Sequence, residues 1–185
     1  MKKYQIIYAD PPWEFSSKEL QKYNGKRFTS IKKHYPTQHK NWIKQLPVGQ
    51  IADSDCALFL WATDAHIMEA GEVIKSWGFK YITIAFVWRK LTSTGKLVAN
   101  LGAWTMKNYE VCLFATKGAM LKHKKVNNIY QEVQAERTKH SRKPSIVRER
   151  IYRLFGDLPR IELFARQKTE GWDVWGNEVE SDIEL

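Results

Sequence analysis

Ile6-Ile7-Tyr8-Ala9-Asp10-Pro11-Pro12-Trp13 is the stretch on which the reading of the fold turns. Four apolar residues, Ile6 to Ala9, run directly into a carboxylate and two prolines, the pattern of a short buried strand that stops abruptly. Strand one is read from Tyr4 to Ala9. Proline has no N–H for the sheet ladder, so the chain has to leave the sheet at Asp10. In open α/β sheets, ligands are held beyond the carboxyl ends of the strands. The expectation is an α/β protein with its site at this exit.

The residues at the exit suit one chemistry. The exocyclic amine of adenine is a poor nucleophile, because its lone pair is spread into the ring. Two acceptors aimed at its hydrogens favour a more tetrahedral nitrogen with a localised pair. Asp10 offers a side-chain acceptor, and Pro11 a backbone carbonyl from a segment of restricted φ. Trp13 offers a flat face on which a base taken out of its helix can stack. The plain alternative is a Pro11-Pro12 turn with Asp10 as a helix cap and Trp13 in the core.

Further motifs follow in order: Tyr35-Pro36-Thr37, Leu58-Phe59-Leu60-Trp61-Ala62-Thr63, Trp77-Gly78-Phe79, Lys143-Pro144, Arg160-Ile161-Glu162-Leu163-Phe164-Ala165-Arg166 and Trp175-Gly176-Asn177-Glu178. With the tetrad Asp10-Pro11-Pro12-Trp13 they resemble the MT-A type adenine-N6 methyltransferases. That family includes the catalytic subunit of the eukaryotic messenger-RNA enzyme and smaller bacterial and phage members. The resemblance covers nearly the whole chain. It implies a Rossmann-like S-adenosylmethionine-dependent methyltransferase fold of about seven strands, one of them antiparallel. It also implies a permuted motif order, with the catalytic tetrad first and the cofactor segment last. The length is that of one domain and no repeat or linker divides the chain, so a single domain is expected over 1–185.

S-adenosylmethionine is the cofactor by resemblance alone, since no glycine-rich dinucleotide fingerprint precedes a helix. The resemblance places Asp10, Lys143, Glu162, Phe164, Arg166, Asn177 and Glu178 around it, with Lys143 at the methionine carboxylate and Asn177 and Glu178 at the ribose or adenine. Gln167, Lys168 and Thr169 stand where the messenger-RNA enzyme has a His-Asn pair, so the ribose contacts there depart from the family. Tyr35 matches a family tyrosine near the target adenine. Two irregular basic stretches are read as substrate loops. Glu14 to His34 carries Lys18, Lys22, Lys26, Arg27, Lys32 and Lys33, and Arg89 to Asn108 carries Arg89, Lys90 and Lys96.

Composition agrees with that reading. The 185 residues carry a formal charge of +10, are 43% hydrophobic and include eight tryptophans. Such a chain can bury a core and is not disordered. Its charge suits a nucleic acid. No apolar run is long enough to span a bilayer, and no signal peptide opens the chain. Cys56 and Cys112 lie in apolar runs and read as reduced core residues of an intracellular protein. The five histidines are scattered without metal-ligand spacing, so no metal is expected.

The remaining elements are read from periodicity and punctuation. A short helix covers His39 to Gln45, and strands cover Cys56 to Trp61, Phe79 to Trp88 and Val111 to Thr116. A helix from Ala65 to Trp77 is capped by Thr63-Asp64, packs through Ile67, Met68, Val73, Ile74 and Trp77, and stops at Gly78. His66 reads as a satisfied surface residue. Asn128 to Gln134 reads as a strand, Pro144-Ser145 opens a helix ended by Gly156, and Arg160 to Ala165 forms a late strand.

Three readings of function stand. The first is a site-specific adenine-N6 DNA methyltransferase of a bacterial or phage-infected cytoplasm. The second is an RNA adenosine-N6 methyltransferase. The third is a catalytically silent nucleic-acid-binding subunit, against which the intact tetrad argues. Family members pair as active and inactive partners, which leaves a homodimer or a paired subunit open.

Overall fold

The computed structural model describes residues 2–14, 40–102, 104–138 and 142–185. Seven strands form one mixed sheet: β1 (Tyr4–Ala9), β2 (Ala52–Ala62), β3 (Lys80–Leu91), β4 (Tyr109–Lys117), β5 (Glu132–Glu136), β6 (Arg160–Leu163) and β7 (Asp173–Trp175). Their order across the sheet is β5-β3-β4-β2-β1-β6-β7. β4 runs antiparallel to both of its neighbours, and every other pairing is parallel. This is the α/β architecture, with its one antiparallel strand, that the sequence led us to expect.

β1 and β2 read as continuous apolar runs because both faces of the sheet are covered. Alternate residues go to opposite layers. Ile7, Ala9, Leu58 and Leu60 pack with Val73, Ile74 and Trp77 on one face. Val73 and Ile74 lie on α3 (Ile67–Ser76), Trp77 caps its C-terminus, and α3 packs beside α1 (Lys40–Gln45), which α2 (Val48–Ile51) follows. Ile6, Tyr8, Phe59 and Trp61 pack with Val147, Ile151 and Phe155 on the other. Those three lie on α4 (Ser145–Phe155), which Gly156 ends at φ 79°.

Several boundaries differ from the sequence reading. β2 starts at Ala52, so Asp55 lies within the strand. The helix expected from Ala65 begins as a 3-10 turn, Asp64–His66, before α3. Thr63 makes no side-chain cap, because its hydroxyl is hydrogen-bonded to His66 Nδ1 at 2.8 Å. Met68 is 81% exposed and Ile67 is exposed too. Ala70, Val73, Ile74 and Trp77 form the buried stripe, and Met68 lies on the opposite side of the helical turn. β3 continues to Leu91, so Arg89 and Lys90 belong to a strand and not to a loop. β5 lies later than expected, at Glu132–Glu136, and β6 ends before Phe164, whose φ is 62°. Cys56 and Cys112 are free and buried. Among the described residues no helix is long and apolar enough to cross a membrane.

Candidate active site

Residues two apart on a strand share a face, and this periodicity assembles the site. Tyr8, Cys112 and Trp88 belong to the core layer under α4. Asp10, Glu110 and Lys90 stand two residues nearer the sheet edge on or just beyond β1, β4 and β3. Trp88 is registered opposite Glu110, and Trp61 opposite Cys112. Three charged residues far apart in sequence therefore reach the same edge on the same face.

Lys143, in the segment that leads into α4, joins them. Its Nζ lies 2.8 Å from each carboxylate oxygen of Asp10 and 3.1 Å from Glu110 Oε2. Lys90 Nζ donates to Glu110 Oε1 at 2.5 Å. Lys90 and Glu110 are buried. The ammonium of Lys143 lies over the ring of Trp61, and that of Lys90 over Trp88.

Burial pushes the Asp10 carboxyl up against the pull of Lys143, and Glu110 adds to the rise. Burial also disfavours charge on Glu110, but Lys143 and Lys90 outweigh it and hold that carboxyl below the usual range. Burial works against the charge of Lys143, yet Asp10 and Glu110 keep it above the ordinary lysine range. Sequence reasoning missed Glu110. The available signal was a glutamate placed directly before the apolar run Val111 to Thr116.

The tetrad leaves β1 as a fastened turn. Asp10 N–H donates to Leu163 O at 3.4 Å, and Trp13 N–H donates to Pro11 O at 2.9 Å. The Pro11 carbonyl thus already accepts one bond and keeps a second lone pair. Trp13 is 5% exposed. Its indole N–H donates to Trp61 O at 2.9 Å, and its ring stacks on His66. The stacking face expected of Trp13 for a base is therefore taken by His66, and Trp13 serves as core. His66 is buried, not at the surface: Thr63 meets its Nδ1 and the Glu14 carbonyl lies 3.1 Å from its Nε2.

The late segment passes along the same edge. Glu162 is registered beside Tyr8 and is bonded to Arg148 Nη1 at 3.1 Å. Burial raises its carboxyl, Arg148 opposes that, and Asp10 adds to the rise. Phe164 turns onto the other face, edge-on to Trp175 and Trp42. Arg166 Nε lies 3.6 Å from Glu178 Oε1. Asn177 and Glu178 are exposed. The backbone at Gly176 runs so close to Ala165 that a Cβ there would lie 2.2 Å from its carbonyl oxygen.

The substrate residues divide differently. Arg89 faces Glu132 at 3.7 Å, Lys90 is tied into the buried row, and Lys96 is exposed. Lys90 is therefore not placed to meet a phosphate. Lys18, Lys22, Lys26, Arg27, Lys32, Lys33 and Tyr35 lie outside the described residues.

The model of the MT-A70 family matches residues 4–178. The chain belongs to the MT-A70 family. It is 37% identical over 196 residues to a protein of Mycoplasma sp named Type II methyltransferase M.MunI, covering all of this chain and 82% of that one. It is 30% identical to the human N(6)-adenine-specific methyltransferase METTL4, over 96% of this chain and 38% of the human protein. It is 26% identical to the N6-methyladenosine RNA methyltransferase MTA1 of Cryphonectria parasitica, over 95% of this chain and 52% of that protein. The chain is thus a methyltransferase of the MT-A70 family, as its motifs indicated, and S-adenosylmethionine is the methyl donor such enzymes use.

The donor set of this MT-A70 site suits that molecule. A methionine carboxylate calls for a cation, and Arg166 and Lys143 are cations at this edge beside Asp10. An adenosyl group calls for hydrogen bonds and apolar surface, the kinds of group that Asn177, Glu178 and Phe164 carry.

Proposed function

We propose that this chain, acting as one domain over residues 1–185, methylates the exocyclic N6 of adenine in DNA within the cytoplasm. The observation that carries the reading is Asp10, held at the carboxyl end of β1 by Lys143 beside both of its oxygens. A carboxylate bridged at both oxygens by one ammonium keeps its outer lone pairs for a hydrogen of the incoming amine. The Pro11 carbonyl supplies the second acceptor through its remaining lone pair. S-adenosylmethionine, when bound, would supply an electrophilic methyl group on a sulfonium, a leaving group that keeps the bonding electrons. Asp10 accepts the amine hydrogen through the transfer and is the nearest base for the proton the nitrogen then loses. Lys143 and Arg166, Glu162 and Phe164, and Asn177 with Glu178 would hold the cofactor. Most of the rate enhancement comes from holding two reactants in line.

DNA is favoured over RNA because the match to the Type II methyltransferase M.MunI covers 82% of that protein, against 52% of the RNA methyltransferase MTA1, while the charge of +10 suits either polyanion. Incubating the chain with isotopically labelled S-adenosylmethionine and separate DNA and RNA pools, followed by nucleoside mass spectrometry, tests the reading. N6-methyladenine in DNA is expected. Label in RNA alone would transfer the proposal to RNA, and label in neither would leave a binding subunit.

A further inference from the structure

Four charges alternate along the site edge: Lys90 and Glu110, which are buried, and Lys143 and Asp10, which are partly buried. We infer that Lys90 and Glu110 are positioning residues that set the ionisation of Asp10 through Lys143. The inference rests on the functional reading above and deepens it.

The geometry favours this over a purely structural role. Buried ion pairs add little net stability, since desolvation offsets their attraction, and apolar replacements of like volume are often as stable. A row of four at a site edge calls for another reason. Lys143 is shared by two carboxylates, Asp10 at 2.8 Å and Glu110 at 3.1 Å. Two carboxylates sharing one cation leave a net negative charge, and one of them then takes up a proton more readily. Lys90 supplies the missing cation from the far side of Glu110. With it the row is neutral, each carboxylate has an ammonium, and Asp10 keeps the anionic form that an acceptor for the amine requires. The tryptophan floor fixes both ammonium groups. Trp61 and Trp88 meet edge to face at 6.4 Å beneath Lys143 and Lys90.

Other groups face Asp10 as well. Arg166, from the segment after β6, favours its ionisation, and Glu162 on β6 and the Cys112 thiol on β4 also feel its charge. These stay constant when only Lys90 or Glu110 is changed, so opposite changes in the row give opposite effects on one carboxyl.

The test is the pH dependence of methyl transfer by the full chain, for wild type, Lys90→Met, Glu110→Gln and the double variant. The acid limb of the rate profile should move up by on the order of one pH unit in Lys90→Met and down in Glu110→Gln, and return near wild type in the double variant. Titration of the ¹³C-labelled Asp10 carboxyl by NMR, without nucleic acid, should show the same two opposite shifts and the same return in the double variant. A merely structural pair would lower rates or melting temperatures in every variant and leave the limb in place, and that result overturns the inference. If Lys90→Met does not fold, Lys90→Arg keeps the charge and has to keep the limb, and a limb that moves there also overturns it. A wild type that methylates no nucleic acid would sink the functional reading alone, because the NMR titration still decides the role of the row.

Discussion

The rings of Trp13 and His66 lie stacked, with centroids 5.6 Å apart and 20° between their planes. The last residue of the tetrad is therefore held from the side by the turn that follows β2. Thr63 fixes the histidine in turn, 2.8 Å from its Nδ1. His66→Ala removes the ring contact and the bond to Thr63. It should lower stability by about 1–2 kcal/mol, a stacked pair being worth about 0.5–1.5 kcal/mol and a neutral hydrogen bond about 1 kcal/mol. Urea unfolding measures this, and His66→Phe, which restores only the ring, should recover part of the loss. A variant as stable as wild type would show that the stack does not fasten the tetrad.

Asp10→Asn should reduce the rate of transfer by at least about a hundredfold, the usual effect of losing one preorganised electrostatic partner. Calorimetry should show cofactor affinity little changed, because Asp10 faces the amine. Near-wild-type turnover in a clean preparation would remove Asp10 from the role assigned to it.

Asn177→Ala and Lys143→Ala should each weaken S-adenosylmethionine binding in the absence of nucleic acid. Loss of one neutral hydrogen bond costs about 1 kcal/mol, roughly fivefold in affinity, and more where a charge is involved. Lys143→Ala should also inactivate, since it leaves Asp10 without its ammonium. Unchanged affinity in both variants would mean that the cofactor lies elsewhere.

Asp55 gives a pH signature remote from the site. Its carboxylate pairs with Lys122, accepts from Ala119 N–H at 2.6 Å, and faces His123. The Lys122 ammonium, then the Ala119 N–H, hold its pKa at about 2. An unfolded aspartate titrates near 3.9, so the folded value is depressed. The contribution is fully present above about pH 4 and is lost as pH falls through about 2. Asp55→Asn should thus destabilise the fold at neutral pH, and the difference from wild type should shrink between about pH 4 and 2. Urea midpoints measured across that range check it. A difference that persists undiminished at pH 2 would assign the effect to packing, not charge.

The basic stretch after the tetrad yields a salt test. If Lys26, Arg27, Lys32 and Lys33 contact phosphate, neutralising all four should flatten the slope of log affinity against log salt by about 3–4 units for duplex DNA. Cofactor binding should be unaffected. Filter binding that returns the wild-type slope would make these residues ordinary solvated surface.

Much of this protein could be read from local sequence. Apolar run length and the Pro11-Pro12 stop located β1 and its exit. Gly78 and Gly156 marked the ends of α3 and α4, at φ 82° and 79°. The order of motifs carried the family and with it the fold class. These signals are local because backbone sterics and side-chain periodicity act over a few residues. What crosses the sheet was not legible. Lys90, Glu110 and Asp10 meet only because β3, β4, β2 and β1 are neighbours in that order and register. Those pairings are chosen by burying both faces of the whole sheet at once, a sum over distant residues that no local window contains. The same holds for Trp13, whose side chain reads equally well as a base platform or as core. The tertiary structure decided for core, by setting His66 against its face and the Trp61 carbonyl on its indole N–H.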